Sequence, residues 1–171
     1  MSSRAWLAIL ASLVVSPARS DEPEGLAMSK PVAVTKIHGF ASFEPLPDAT
    51  LTADDKLMVY YEPTGYTIER TKDGFRAFLA QDGKLRRKGR KEALWQKAPM
   101  FEYEAKDAAQ PYRLYMRTDF AIKGLAPGEY ELDLTVHDKL VKGSGTTRTV
   151  AFKVVPAKQT TGSQEKGAGT N

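Results

Sequence analysis

The stretch LAPGEYELDLTVHDK, residues 125–139, carries a proline–glycine turn signal and then alternates apolar with polar side chains. Tyr130, Leu132, Leu134 and Val136 fall on one parity, and Glu131, Asp133, Thr135 and His137 on the other. Successive side chains of a strand leave on opposite sides, so strict alternation marks a strand with one buried face. Whether the polar parity does chemistry or only faces water separates an enzyme from a binding module.

The same period recurs in TVAFKVV, residues 149–155, where Val150, Phe152 and Val154 oppose Thr149, Ala151 and Lys153. Further strands are expected at Val32–Ile37, Leu57–Glu62, Phe75–Ala80, Leu94–Lys97 and Tyr112–Phe120. Turn signals separate them at Pro63-Thr64-Gly65, Asp82-Gly83, Pro127-Gly128 and Gly143-Ser144-Gly145. No long amphipathic helix competes with this pattern. About seven short strands in one domain predict an all-β fold, an immunoglobulin-like antiparallel sandwich, with a small closed barrel as the alternative.

The termini read differently. Arg4 precedes an apolar run from Ala5 to Val15, followed by Ser16-Pro17 and the small-residue pattern Ala18-Arg19-Ser20. That order is a secretory signal, residues 1–20, with cleavage expected before Asp21. The run is shorter than the ~20 apolar residues that a membrane span needs. Residues 21–30 read as a flexible leader, residues 31–156 as the folded domain, and residues 157–171 as a polar, glycine-rich tail without a core of its own.

The chain has no cysteine, which excludes disulfides, thiolate metal sites, cysteine nucleophiles and a lipid anchor carried on cysteine. An exported fold without disulfides must rest on its packed core, which a domain of about 130 residues can supply. The formal charge of +4 includes Arg4 and Arg19, so the chain after cleavage stands near +2. That value gives no whole-protein argument for nucleic acid.

Charge is concentrated in KLRRKGRK, residues 84–91, where Lys84, Arg86, Arg87, Lys88, Arg90 and Lys91 are basic. Two readings stand. A charged edge strand deters sheet-to-sheet aggregation. An anion-binding loop would take acidic polysaccharide, lipid headgroups or nucleic acid. The edge reading is favoured because surrounding acids largely balance the charge.

No catalytic set assembles. His38 and His137 are far apart in the chain, and Met28, Met58, Met100 and Met116 are scattered, so no metal centre is expected. Ser29, Ser42 and Ser144 lack a nucleophile motif, Asp54-Asp55 fits a turn, and Glu102 and Glu104 share a strand face without marking an acid and a base. No phosphate-binding or dinucleotide motif is present, and no cofactor is expected. Of the adjacent Tyr60 and Tyr61, one is expected in the core and one outside. Tyr66, Trp95, Tyr103, Tyr112 and Tyr115 are candidates for an exposed row that stacks on sugars, although aromatic residues on strands usually pack inside.

Leu125, Pro127, Gly128 and Tyr130 resemble the corner before a central strand of fibronectin type III and related sandwiches, where a tyrosine hydroxyl bonds the backbone. A wider likeness covers about residues 36–155. Gly39-Phe40, Tyr60-Tyr61-Glu62, the Asp82-Gly83 hairpin signal and the unit from Pro127 to Asp138 resemble a group of exported bacterial proteins of planctomycete type. The chain departs from them at Ala41 and Phe43, where glycine and tyrosine are more usual, and in lacking a central cysteine. The resemblance implies an all-β exported domain and assigns no activity. The functional expectation is a non-catalytic accessory module that contacts another exported or cell-surface protein, in the periplasm or outside the cell. Polysaccharide binding is the alternative, and an unrecognised hydrolase comes third.

Overall fold

A computed structural model describes residues 25–107, 109 and 113–157 of the chain. The expected signal segment, the tail beyond Ala157 and Tyr112 lie outside the described residues. Among the described residues the protein is all-β, with no α-helix and one 3₁₀ turn at Pro47–Ala49. Its strands are β1 (Ala27–Met28), β2 (Val32–Gly39), β3 (Ser42–Pro45), β4 (Thr50–Thr52), β5 (Lys56–Tyr61) and β6 (Pro63–Thr64). Then come β7 (Glu69–Thr71), β8 (Gly74–Arg87), β9 (Ala93–Asp107), β10 (Met116–Ala121), β11 (Gly128–Asp138) and β12 (Gly145–Val155).

One sheet has the order β10-β5-β2-β3 and is antiparallel throughout. A second, mixed sheet runs β4-β12-β11-β8-β7, with β9 on the other side of β8 and β4 parallel to β12. β1 and β6 form a small separate pair, which draws Met28 of the expected leader into the core. Period two explains why these segments pair as they do. Leu132, Leu134 and Val136 of β11, Val150, Phe152 and Val154 of β12, and Leu57, Val59 and Tyr61 of β5 bury into one common core. A slip of one residue in any of them would turn that apolar set into water.

Two local readings are corrected. Asp82-Gly83 is no hairpin turn but lies inside the fourteen residues of β8, which turns only at Lys88–Glu92. The glycine is required for space. A Cβ at Gly83 would overlap Met100 Sδ and stand 3.1 Å from Trp95 Cζ3. Here β9 bulges, since Gln81 pairs with Phe101 and Gly83 with Lys97, leaving Ala98, Pro99 and Met100 opposite Asp82 alone. The second correction concerns the tyrosine pair, for both Tyr60 and Tyr61 are buried. Phe43 at 4.4 Å and Tyr115 at 5.5 Å cover the Tyr60 ring on the outer side of its sheet.

The two sheets are tied through one buried polar group. Gln81 Oε1 accepts from the hydroxyls of Tyr61 and of Thr118, the latter at 3.0 Å, and Gln81 Nε2 donates to Met100 Sδ at 3.5 Å. Tyr61 and Thr118 belong to one sheet, Gln81 and Met100 to the other. Burial drives the Tyr61 hydroxyl far above the ordinary tyrosine range.

Candidate functional site

The polar parity of β11 is spent on cross-strand pairing. Register places Glu131 opposite Arg86 and Asp133 opposite Lys84 on β8, with Thr149 of β12 on the other flank of Asp133. Arg86 grips Asp133 with Nε at 2.9 Å and Nη2 at 3.1 Å, and its Nη1 reaches Glu131. The Thr149 hydroxyl adds a 2.6 Å bond to Asp133. Burial alone would push the Asp133 carboxyl up, but Arg86, Thr149 and Lys84 together hold it below its ordinary range. The same pairing raises Arg86, with the Asp133 bond the main cause. Further along the face, Lys88 meets Glu129 at 3.0 Å, Thr135 meets Thr147 at 2.8 Å, and His137 Nε2 meets Asp82 at 2.7 Å.

This geometry overturns the edge reading of the basic run. Lys84 to Arg87 lie on β8, which has β11 on one side and β9 on the other. Arg86 and Lys88 are engaged by β11 carboxylates, and Arg87 lies 5.4 Å from the centre of the Tyr130 ring. Arg90 and Lys91 stand exposed in the β8–β9 turn. The acids that balance the cluster come from some 45 residues further along the chain.

The remaining candidates also divide into structural roles. Tyr130 is buried, stacks on Phe152 at 5.6 Å, and donates its hydroxyl to the Ala126 carbonyl at 2.6 Å. That bond ties the Leu125–Gly128 corner to the start of β11. Asp138 falls on the core parity; its carboxylate accepts from the amides of Thr67 at 2.7 Å and Leu140 at 2.9 Å. Glu104 meets Arg76 at 2.7 Å, which with Lys106 lowers its pKa, and Glu102 meets Lys139 at 3.5 Å, so each has a cation of its own. Asp55 accepts from the Thr52 amide and hydroxyl and so closes a turn. His38 pairs with Glu44 at 2.8 Å, and no three metal-ligating side chains cluster among the described residues.

The aromatic candidates do not form one row. Trp95 is half-buried on β9 against Phe120, ring to ring at 4.9 Å, whereas Tyr115 stacks on Tyr60 at the outer face of the other sheet. Tyr66 packs against the core.

Two concave features are prominent. A recess of about 940 Å³ lies under the β11–β12 connection, with His137, Asp82, Thr135 and Thr147 among its walls. Within it His137 bonds Asp82 and Thr135 bonds Thr147. The second is a groove of about 490 Å³ between β9 and β10, the outermost strands of the two sheets on one flank. Trp95, Phe101, Phe120 and Leu125 supply its apolar walls, and Lys97 and Lys123 also line it. No sequence signal marks this groove, because it joins strands of different sheets at no fixed spacing. Comparison with protein-family models, curated proteins and solved structures finds no match.

Proposed function

We propose that the chain is an exported, non-catalytic binding module of immunoglobulin-like type that contacts another exported or cell-surface protein along the β9–β10 flank. The observation that carries this reading is the groove itself. Two strands with unpaired outer edges flank an apolar trough, the arrangement by which sheet proteins take up an extended segment of a partner. An immunoglobulin-like topology is supported by the order β10-β5-β2 against β9-β8-β11-β12, by β4 running parallel to β12, and by the tyrosine tie at the start of β11. The non-catalytic reading is supported by the bonds that occupy Asp133, His137 and Glu104 within the fold. Export is supported by the Arg4 to Ser20 segment.

A photo-crosslinking residue placed at Phe101 or Ala121, both in the groove wall, tests the reading, with Thr149 on the outer face of β12 as control. In exporting cells the two flank positions should give a discrete adduct and Thr149 none. Adducts at equal yield from all three, or from none, would overturn it.

A further inference from the structure

We propose that the groove takes an extended segment of the partner that adds to the free edge of β10 and alternates apolar residues with carboxylates. This rests on the binding-module reading and names the chemistry of its partner.

The choice of edge follows from the two strands. β9 is interrupted by its bulge, and Pro99 within it has no amide hydrogen to offer a neighbour. β10 pairs with β5 without irregularity from Met116 to Ala121, so its outer edge runs unbroken for six residues, about 20 Å. An added strand would send alternate side chains toward Phe120, Trp95 and Leu125, and the others out beside Arg117 and Asp119. The inward positions beside Phe120 and Trp95 therefore want apolar residues, and a carboxylate fits outward beside Lys123 or where the segment nears Lys97, which lies on the Trp95 side of β9.

The charges select carboxylates. Arg117 is held by Asp119 at 2.8 Å. Lys97 and Lys123 line the same groove, and neither has an ion-pair partner among the described residues. On the second sheet Lys84, Arg148 and Lys153 also lack an ion pair among the described residues, and what sets Lys97 and Lys123 apart is that both line this apolar-walled groove. A second copy of the chain fits less well, since it would bring the same two lysines to meet them.

The test uses the full chain with Trp6→Phe, leaving Trp95 in the groove wall as the sole tryptophan. Its fluorescence is followed against a blocked probe peptide, Val-Glu-Val-Glu-Val-Glu-Val, and against the same peptide with lysine in place of glutamate. The expected result is a saturable change with the glutamate probe, weakened by salt, and binding of the lysine probe lower by about tenfold, the size two exposed ion pairs supply together. Lys97→Gln with Lys123→Gln should erase the preference. Probes with alternate amides N-methylated, made in both frames, should differ, one binding and the other not.

Equal binding of the two probes, equal binding of the two methylated frames, or no response from either probe would each overturn the proposal. So would a concentration-dependent dimer in sedimentation that changes Trp95 fluorescence while the probes do not. A crosslinked adduct at Ala121 together with silent probes would leave the binding module standing and remove only the acidic segment.

Discussion

Replacing Tyr130 with phenylalanine isolates one bond. The ring stays, and with it the 5.6 Å stack on Phe152 and the Arg87 guanidinium at 5.4 Å. What is lost is the 2.6 Å bond from the hydroxyl to the Ala126 carbonyl. A net hydrogen bond contributes about 1 kcal/mol, and more when the abandoned acceptor stays dry. Ala126 is exposed, so water can reach its carbonyl and the cost should sit near 1 kcal/mol. At ordinary denaturant sensitivity that lowers the urea midpoint by about 0.5 M. Tyr130→Leu, which also gives up the ring, should cost about 2–3 kcal/mol. Urea unfolding followed by circular dichroism reads both. An unchanged midpoint at unchanged slope in Tyr130→Phe would refute the reasoning, because the hydroxyl would then hold nothing at the corner that seats Leu125 in the groove.

Gly83→Ala should destabilise by about 1–3 kcal/mol, since the new methyl must displace Met100 and press on Trp95, and a shifted Trp95 emission in a folded variant should accompany it. Arg86→Gln strands two half-buried carboxylates and should cost about 2 kcal/mol, whereas Lys91→Gln in the exposed turn should stay within about 0.5 kcal/mol, both read by thermal unfolding. The depressed Asp133 pKa adds stability that is fully present above the unfolded carboxylate value of about 4 and is lost as pH falls through the lower folded value. Acid titration of the unfolding midpoint should therefore decline below about pH 4 in the parent and more weakly in Asp133→Asn. Burial, followed by the Glu62 carboxylate, pushes the Tyr60 hydroxyl up to about 12. The folded protein should therefore ionise that tyrosine late, and the stability it contributes should fall as pH rises from about 10 toward 12, read by absorbance at alkaline pH.

What could be read from the chain was what one strand says about itself. β11 and β12 each have one buried face, so their alternation appears in the residues of a single segment. The acceptor of the Tyr130 hydroxyl lies only four residues away, within reach of a local motif. β8 was harder, because Asp82-Gly83 has the chemistry of a turn. What keeps it extended is the bulk of Met100 and Trp95, which arrive on a neighbouring strand. Tyr60 misled for the same reason. Its parity is outward, and only Phe43 and Tyr115, one on each side of it in the chain, make that outward position a covered one.

The basic run and the groove show opposite sides of one physical point. Six cations in eight residues stand out in the sequence, yet register sets Arg86 and Lys88 against Glu129, Glu131 and Asp133 and cancels much of their field. Lys97 and Lys123 are inconspicuous in the sequence, 26 positions apart and each isolated. The fold brings them to one trough and pairs neither with a carboxylate among the described residues. Density of charge along a chain measures what must be neutralised, and pairing in the sheet measures what has been. A partner responds to the remainder where it also finds a trough to enter: Arg90 and Lys91 stay unpaired in an exposed turn, whereas Lys97 and Lys123 line a groove. If this is right, glutamine at Lys97 and Lys123 should reduce crosslinking from Ala121 in exporting cells more than glutamine at Arg90 and Lys91 does, although the second pair comes from the denser cluster. Equal loss from both pairs would mean that the partner senses net charge rather than this groove.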